Sequence, residues 1–105
     1  MELHAARDRE WQPTGHDGIE RCLFRNNEDG GRSSVVRLEA GARFPAHRHL
    51  GTEGVVVLEG EVEIGGTPMR AGDYLFTATG EEHDVVAVSA ATIFVSSTKG
   101  TPLVD

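Results

Sequence analysis

Cysteine is almost missing: Cys22 is the only one in 105 residues. An internal disulfide framework is therefore excluded. A lone thiol fits a reducing compartment and reads as a small buried hydrophobe rather than a nucleophile. Basic residues are scarce as well. Ten Lys and Arg stand against seventeen Asp and Glu, a net charge of −7. That balance argues against nucleic acid or an anionic membrane surface as a partner. Long apolar runs are absent too. The longest, 55–58 and 85–88, fall far short of the roughly 20 residues that a membrane-spanning helix needs. The first eleven residues are charged and hold no apolar leader segment, so a cytoplasmic location is expected. Finally, nothing after residue 18 keeps a helical period.

What the chain has instead is glycine, thirteen of them, spaced between short runs rich in β-branched residues. The runs are 19–24, 33–38, 43–49, 53–58, 61–64, 74–77, 84–88 and 92–97. Turn signals separate them, among them Glu59-Gly60, Gly65-Gly66, Ala71-Gly72-Asp73 and Thr79-Gly80. About eight short strands at close spacing predict an all-β sandwich or barrel, compatible with a jelly roll. Residues 1–18 are polar and broken by Pro13, Gly15 and Gly18. They are expected to form an N-terminal tail packed on the domain and pinned by Trp11, with the domain itself spanning 19–105.

Five histidines in so short a chain raise the question of a metal. His47 and His49 lie two apart on an extended run, so their side chains share one face. Leu50, Gly51 and Thr52 make a short turn. Glu53 is then expected to open the next strand, running back beside the first as a hairpin. That would bring its carboxylate level with the two imidazoles. His83 follows a turn and opens a later strand, a position that can face the same barrel mouth. Three imidazoles and a carboxylate suit a borderline divalent metal such as zinc, iron, manganese, nickel or cobalt. Calcium and magnesium prefer oxygen ligands. Neutral histidines and one Glu would leave a divalent ion with a local charge of +1, able to attract hydroxide, a carboxylate or an enolate. The imidazoles are expected to present Nε2.

Gly41, His47, His49, Glu53 and Gly60 meet every spacing of the first cupin motif. Gly72, Gly80 and His83 follow the second, with Ala78 and Ala87 in place of its proline and asparagine. The chain thus resembles the cupins. More finely, Val36-Arg37-Leu38-Glu39-Ala40-Gly41, Phe44-Pro45-Ala46-His47 and Val57-Leu58-Glu59-Gly60 resemble the ChrR-type and acetylacetone-dioxygenase-like cupin domains. The resemblance implies a cupin jelly-roll β-barrel with one divalent transition metal on His47, His49, Glu53 and His83. It also implies a small-molecule ligand or substrate and a homodimer. Many such relatives carry a second Glu after the ligand Glu. Gly54 stands there, and less polarity is expected beside the metal. The helical zinc-binding domain that precedes the cupin in ChrR-type anti-sigma factors is not among these residues, so an anti-sigma role is not expected.

The remaining candidates have plainer readings. His4 and His16 are expected to be solvated in the tail, and Glu81 and Glu82 to form a solvated turn. Tyr74, Phe76, Ile93 and Phe94 are expected in the core or pocket wall. Three functions stay open. One is a metal-binding cupin that takes a small molecule. Another is an iron(II)-dependent dioxygenase acting on a small enolisable ketone or phenolic substrate. The third is a hydrolase or isomerase that uses metal-bound water.

Overall fold

A computed structural model describes residues 1–28, 30–100 and 103 of the chain. Its strands are β1 (Gln12–Pro13), β2 (Ile19–Asn26), β3 (Arg32–Leu38), β4 (Arg43–Arg48) and β5 (Glu53–Glu59), followed by β6 (Glu61–Ile64), β7 (Thr67–Arg70), β8 (Tyr74–Thr77), β9 (Glu82–Ala87) and β10 (Ala91–Ser97). They form two antiparallel sheets. One has the order β1-β2-β3-β10-β5-β8 and the other β4-β9-β6-β7. This is the jelly-roll arrangement expected from the strand pattern. All eight predicted runs are strands. The addition within the domain is β7, whose Pro68 argues against a central strand. As the outer strand of its sheet, β7 can hold a residue without an N–H.

The core lies between the sheets. The alternating residues of each strand turn inward: Val36, Leu38, Val55, Val57 and Ile93 from the larger sheet meet Val62, Ile64, Met69, Val85 and Ala87 from the smaller. Tight corners keep the strands short. At Gly60 the backbone turns from β5 into β6 with φ +77°, and an added Cβ would come 2.1 Å from the carbonyl oxygen of Ala90. Only glycine satisfies both the positive φ and the close approach. The last glycine of the first motif therefore has a steric cause.

The tail joins the larger sheet. Gln12 and Pro13 pair with Arg21 and Glu20 on β2. The Arg37 guanidinium sits 4.3 Å from the centre of the Trp11 ring, a cation–π contact that holds the tail down, while its Nε and Nη2 donate to Glu20 Oε1 at 3.0 and 2.8 Å. Cys22 is buried and unpaired, with Leu3, His4, Arg9 and Phe24 lining a cleft around it. Tyr74 and Phe76 depart from expectation. They are 62% and 58% exposed, on the outer face of the edge strand β8. Period two in 74–77 fixes which residues share a face but not which face is inside. Here Thr77 and Leu75 take the inner one. Among the described residues, no helix is long and apolar enough to cross a membrane.

Candidate metal centre

His47, His49, Glu53 and His83 come together. One potential ligand atom from each lies within 4.8 Å of all the others. His49, His47 and Glu53 are 1%, 5% and 7% exposed, and His83 is half-buried. Burying four ionisable groups this closely is costly unless they share a charge partner, which makes the cluster the least core-like place in the fold.

The route by which they converge differs from the expected hairpin. β4 and β5 do not pair. β4 lies in the four-stranded sheet beside β9, and β5 lies in the six-stranded sheet between β10 and β8. The turn after His49 crosses from one sheet to the other, so Glu53 faces the imidazoles across the interior. His47 and His83 are direct cross-strand partners in the β4–β9 ladder, where opposed Cβ atoms stand about 5 Å apart. Pro45 and Ala46 sit in the register shift between Phe44 and His47. A bulge of that kind re-aims the side chains that follow it.

The orientation of two rings is fixed from behind. His47 Nδ1 lies 3.0 Å from the Pro45 carbonyl and His49 Nδ1 lies 2.8 Å from that of Glu81. A ring that donates Nδ1–H to a carbonyl carries its lone pair on Nε2, the form a metal needs. His49 Nε2 is 3.3 Å from Glu53 Oε1. The turn after β8 does this work for His49. Glu81 accepts the backbone N–H of His49 at 3.0 Å, and Gly80 donates to the His49 carbonyl at 2.7 Å. The second motif thus clamps the first. Its missing proline is accommodated locally, because Ala78 has an N–H and the Glu81 carboxylate accepts it. Ala87, in the asparagine position, is core.

His83 is held differently. Its Nε2 lies 3.3 Å from Thr77 Oγ1, and its Nδ1 is buried with no hydrogen-bond partner. Thr77 is itself buried and stands opposite Glu53 in the β5–β8 register. The His83 ring is therefore less tightly fixed by hydrogen bonds than those of His47 and His49.

The electrostatics agree. Burial, then the nearby His49 and His47, push His83 below the ordinary histidine value, so it is neutral near pH 7. For His49, burial is the largest single influence and pulls downward. The hydrogen bonds to Glu53 and Glu81, with their charges, together outweigh it and raise the ring.

The remaining sequence candidates stand apart from the cluster. Glu81 and Glu82 are exposed. His4 is exposed, with its ring 5.5 Å from Phe24. His16 is not simply solvated. Its ring meets Phe44 edge-on at 4.6 Å, and Phe44 in turn meets His47 edge-on at 5.3 Å. Gly54 does not border the cluster. A Cβ there would point at the Tyr74 ring, 3.2 Å away, on the outer side of β5. Its lack of a side chain therefore leaves the polarity of the site unchanged and makes room for Tyr74.

A cavity of about 70 Å³ opens beside the cluster, several times the ~10–15 Å³ that one water needs. His47, Glu53 and His83 form its polar end, and Ile19, Val36, Leu38, Val55 and Ile93 much of its apolar wall. It holds one further charged residue, Arg21, which pattern reading did not single out. One sequence signal was available: Arg21 shares its strand face with Ile19, two residues earlier, in a run otherwise rich in apolar side chains.

Residues 1–101 match the model of the ChrR cupin-like domain family. No curated protein matches the chain in sequence. Several solved structures match it in fold. An acetylacetone dioxygenase from Acinetobacter johnsonii is 18% identical, with a TM-score of 0.86 over 100% of this chain and 77% of that one. An RmlC-like cupin from Ralstonia eutropha JMP134 is 17% identical, with a TM-score of 0.88 over 99% and 72%. The complex of Rhodobacter sphaeroides SigE with the anti-sigma ChrR contains a chain 21% identical, with a TM-score of 0.77 over 89% of this chain and 50% of that one. At these identities the likeness is one of fold.

Proposed function

The chain belongs to the ChrR cupin-like domain family, and from that premise we propose that it is a metallocupin that takes a small molecule into its barrel, with His47, His49, Glu53 and His83 as the metal ligands. The observation that carries this reading is the close meeting of those four side chains, three of which, His47, Glu53 and His83, line a mostly apolar cavity. The donor set suits zinc, iron, manganese or nickel. A bound divalent ion would supply Lewis acidity toward an oxygen atom of the ligand. The chain's own part is to hold two imidazoles by their Nδ1 atoms, to set one negative charge opposite them, and to keep water out with the apolar wall. X-ray absorption at the edge of the bound metal tests the assignment. Imidazole scattering in the first shell, diminished in His49→Ala, supports it, and a shell without imidazole overturns it.

A second reading, an iron(II)-dependent dioxygenase acting on a small enolisable ketone or phenol, is favoured by the fold shared with the Acinetobacter johnsonii enzyme. Four protein ligands leave two positions of an octahedron open, which allows it. Anaerobic loading with iron(II), followed by a small β-diketone and oxygen, separates the two readings. Substrate-dependent oxygen uptake that vanishes in His49→Ala supports the enzyme. No uptake across enolisable ketones and phenols supports the binding module.

The same reading includes a homodimer and a reducing, cytoplasmic setting. β2 is covered on both sides by β1 and β3, and among the edge strands β8 is the one on which Tyr74 and Phe76 stand exposed, so we assign the pairing with a second copy to it. Exposed edges with apolar side chains invite pairing. The buried, unpaired Cys22 fits the reducing setting.

A further inference from the structure

Arg21 is out of place by the rules that govern the rest of the fold. It lies on β2 two residues after Ile19 and so shares its inward face. It lines the same cavity as His47, Glu53 and His83, among Val36, Leu38, Ile93 and Val95. It is half-buried, and no hydrogen bond or ion pair holds it among the described residues. The nearest compensation is Glu53, which favours its charge at a distance, while burial and Arg32 oppose it. A guanidinium carries five donors and a charge that cannot be shed at any ordinary pH. Placing one in an apolar cavity without a partner is expensive. Such an exception to local consistency points to function.

We propose that Arg21 anchors an anionic ligand: a small molecule whose carboxylate or enolate oxygens lie between Arg21 and the metal ligands, with its short apolar part against Ile19, Val36 and Leu38. This rests on the metallocupin reading for the identity of the second anchor. The charges support it. A divalent ion with Glu53 leaves +1, and Arg21 brings the cavity to +2, so a monoanion is the complement that still leaves the site attractive. The planar fork of arginine matches a carboxylate with two parallel hydrogen bonds. The volume of about 70 Å³ limits the ligand to a few heavy atoms. Glu53 cannot serve in place of the ligand, because its carboxylate faces His49 and lies beyond ion-pair distance of Arg21.

The experiment uses the full chain, with metal content measured on every sample, and two probes of equal shape: isobutyrate and isobutyramide. Wild-type protein is expected to bind isobutyrate more tightly than the amide. Arg21→Gln is expected to weaken the carboxylate by roughly tenfold or more, to leave the amide within about twofold, and to keep the metal. Equal binding of isobutyrate by wild type and Arg21→Gln, or no preference of the wild type for the carboxylate, overturns the proposal. Should the variant fail to fold, the Nε–H resonance of Arg21 in the wild type decides instead. It is expected to shift with isobutyrate and not with isobutyramide, and an unmoved resonance overturns the assignment. A chain that holds no metal defeats the metallocupin reading separately. The carboxylate-to-amide ratio on that metal-free protein still settles the role of Arg21, in favour if Arg21→Gln abolishes it and against if it does not.

Discussion

Replacing Glu53 by Gln removes a charge and almost nothing else. The side chain keeps its length and one oxygen, and at 7% exposure water cannot take the place of what is lost. A ligand atom of Glu53 lies within 4.8 Å of those of the three histidines, so an ion among them sits closer still. One unit charge at about 5 Å contributes ~3 kcal/mol at the effective dielectric of about 20 that suits protein sites. Each ~1.4 kcal/mol is tenfold in affinity, so Glu53→Gln is expected to weaken metal binding by at least about a hundredfold. Glu81→Gln and Glu82→Gln are the controls. Their side chains are exposed; the Glu81 charge also reaches His49, but from an exposed position, and the hydrogen bond to the ring comes from its backbone carbonyl, which the substitution keeps. Both should stay within about threefold of wild type, as surface charges commonly do. Competition against a chelator of known affinity reads all three. Equal affinities for the three variants would show that Glu53 is no ligand, and the charge argument with it would fail.

Other predictions follow from neighbouring features. Gly60→Ala meets both a positive φ and the Ala90 carbonyl and should cost ~3 kcal/mol or more, whereas Gly41→Ala, at φ +84° with open space around it, should cost only about 1–2 kcal/mol. Denaturant melts compare them, and equal losses would contradict the steric argument. The two shifted histidines act in opposite senses on the metal-free protein. His83, lowered by burial and its neighbours, removes stability as pH falls through its unfolded value near ~6.5. His49, raised, adds stability that is present below ~6.5 and is lost as pH rises through its folded value. Metal binding between ~6.5 and that raised value should therefore release a proton from His49 and none from His83. Calorimetry in buffers of different ionisation enthalpy detects the release, and a buffer-independent heat would count against it. Sedimentation at micromolar concentration should show a dimer that Tyr74→Ser with Phe76→Ser dissociates. A monomeric wild type would refute the β8 interface.

The site was legible in the sequence because its residue types and spacings are tied to chemistry. His47, His49, Glu53 and His83 are ligand-type residues at or beside strand ends, and Gly60 has to lack a Cβ. The jelly roll was legible because glycine turns cut the chain into strands. What pairs with what was not. A three-residue turn between His49 and Glu53 suits a hairpin as well as a crossing between sheets, and only long-range pairing with β9 and β10 selects the crossing. The faces of 74–77 were equally open, since alternation has two solutions and the apolar content of Tyr74 and Phe76 suggested the wrong one. Gly54 was misread for the same reason. Arg21 is hard to read because an arginine in a strand usually faces water, and its sharing a face with Ile19 is the one signal in β2 that this face is covered. β7 was hidden by Pro68, which edge position excuses.

The central claim is that these four side chains hold one divalent transition metal. Elemental analysis of protein purified without added metal or chelator, set beside the same measurement on His49→Ala, tests it most directly. The account predicts close to one zinc, iron, manganese or nickel ion per wild-type chain and a large loss in the variant. A wild-type chain that carries no transition metal, or a variant that retains it fully, would contradict the account.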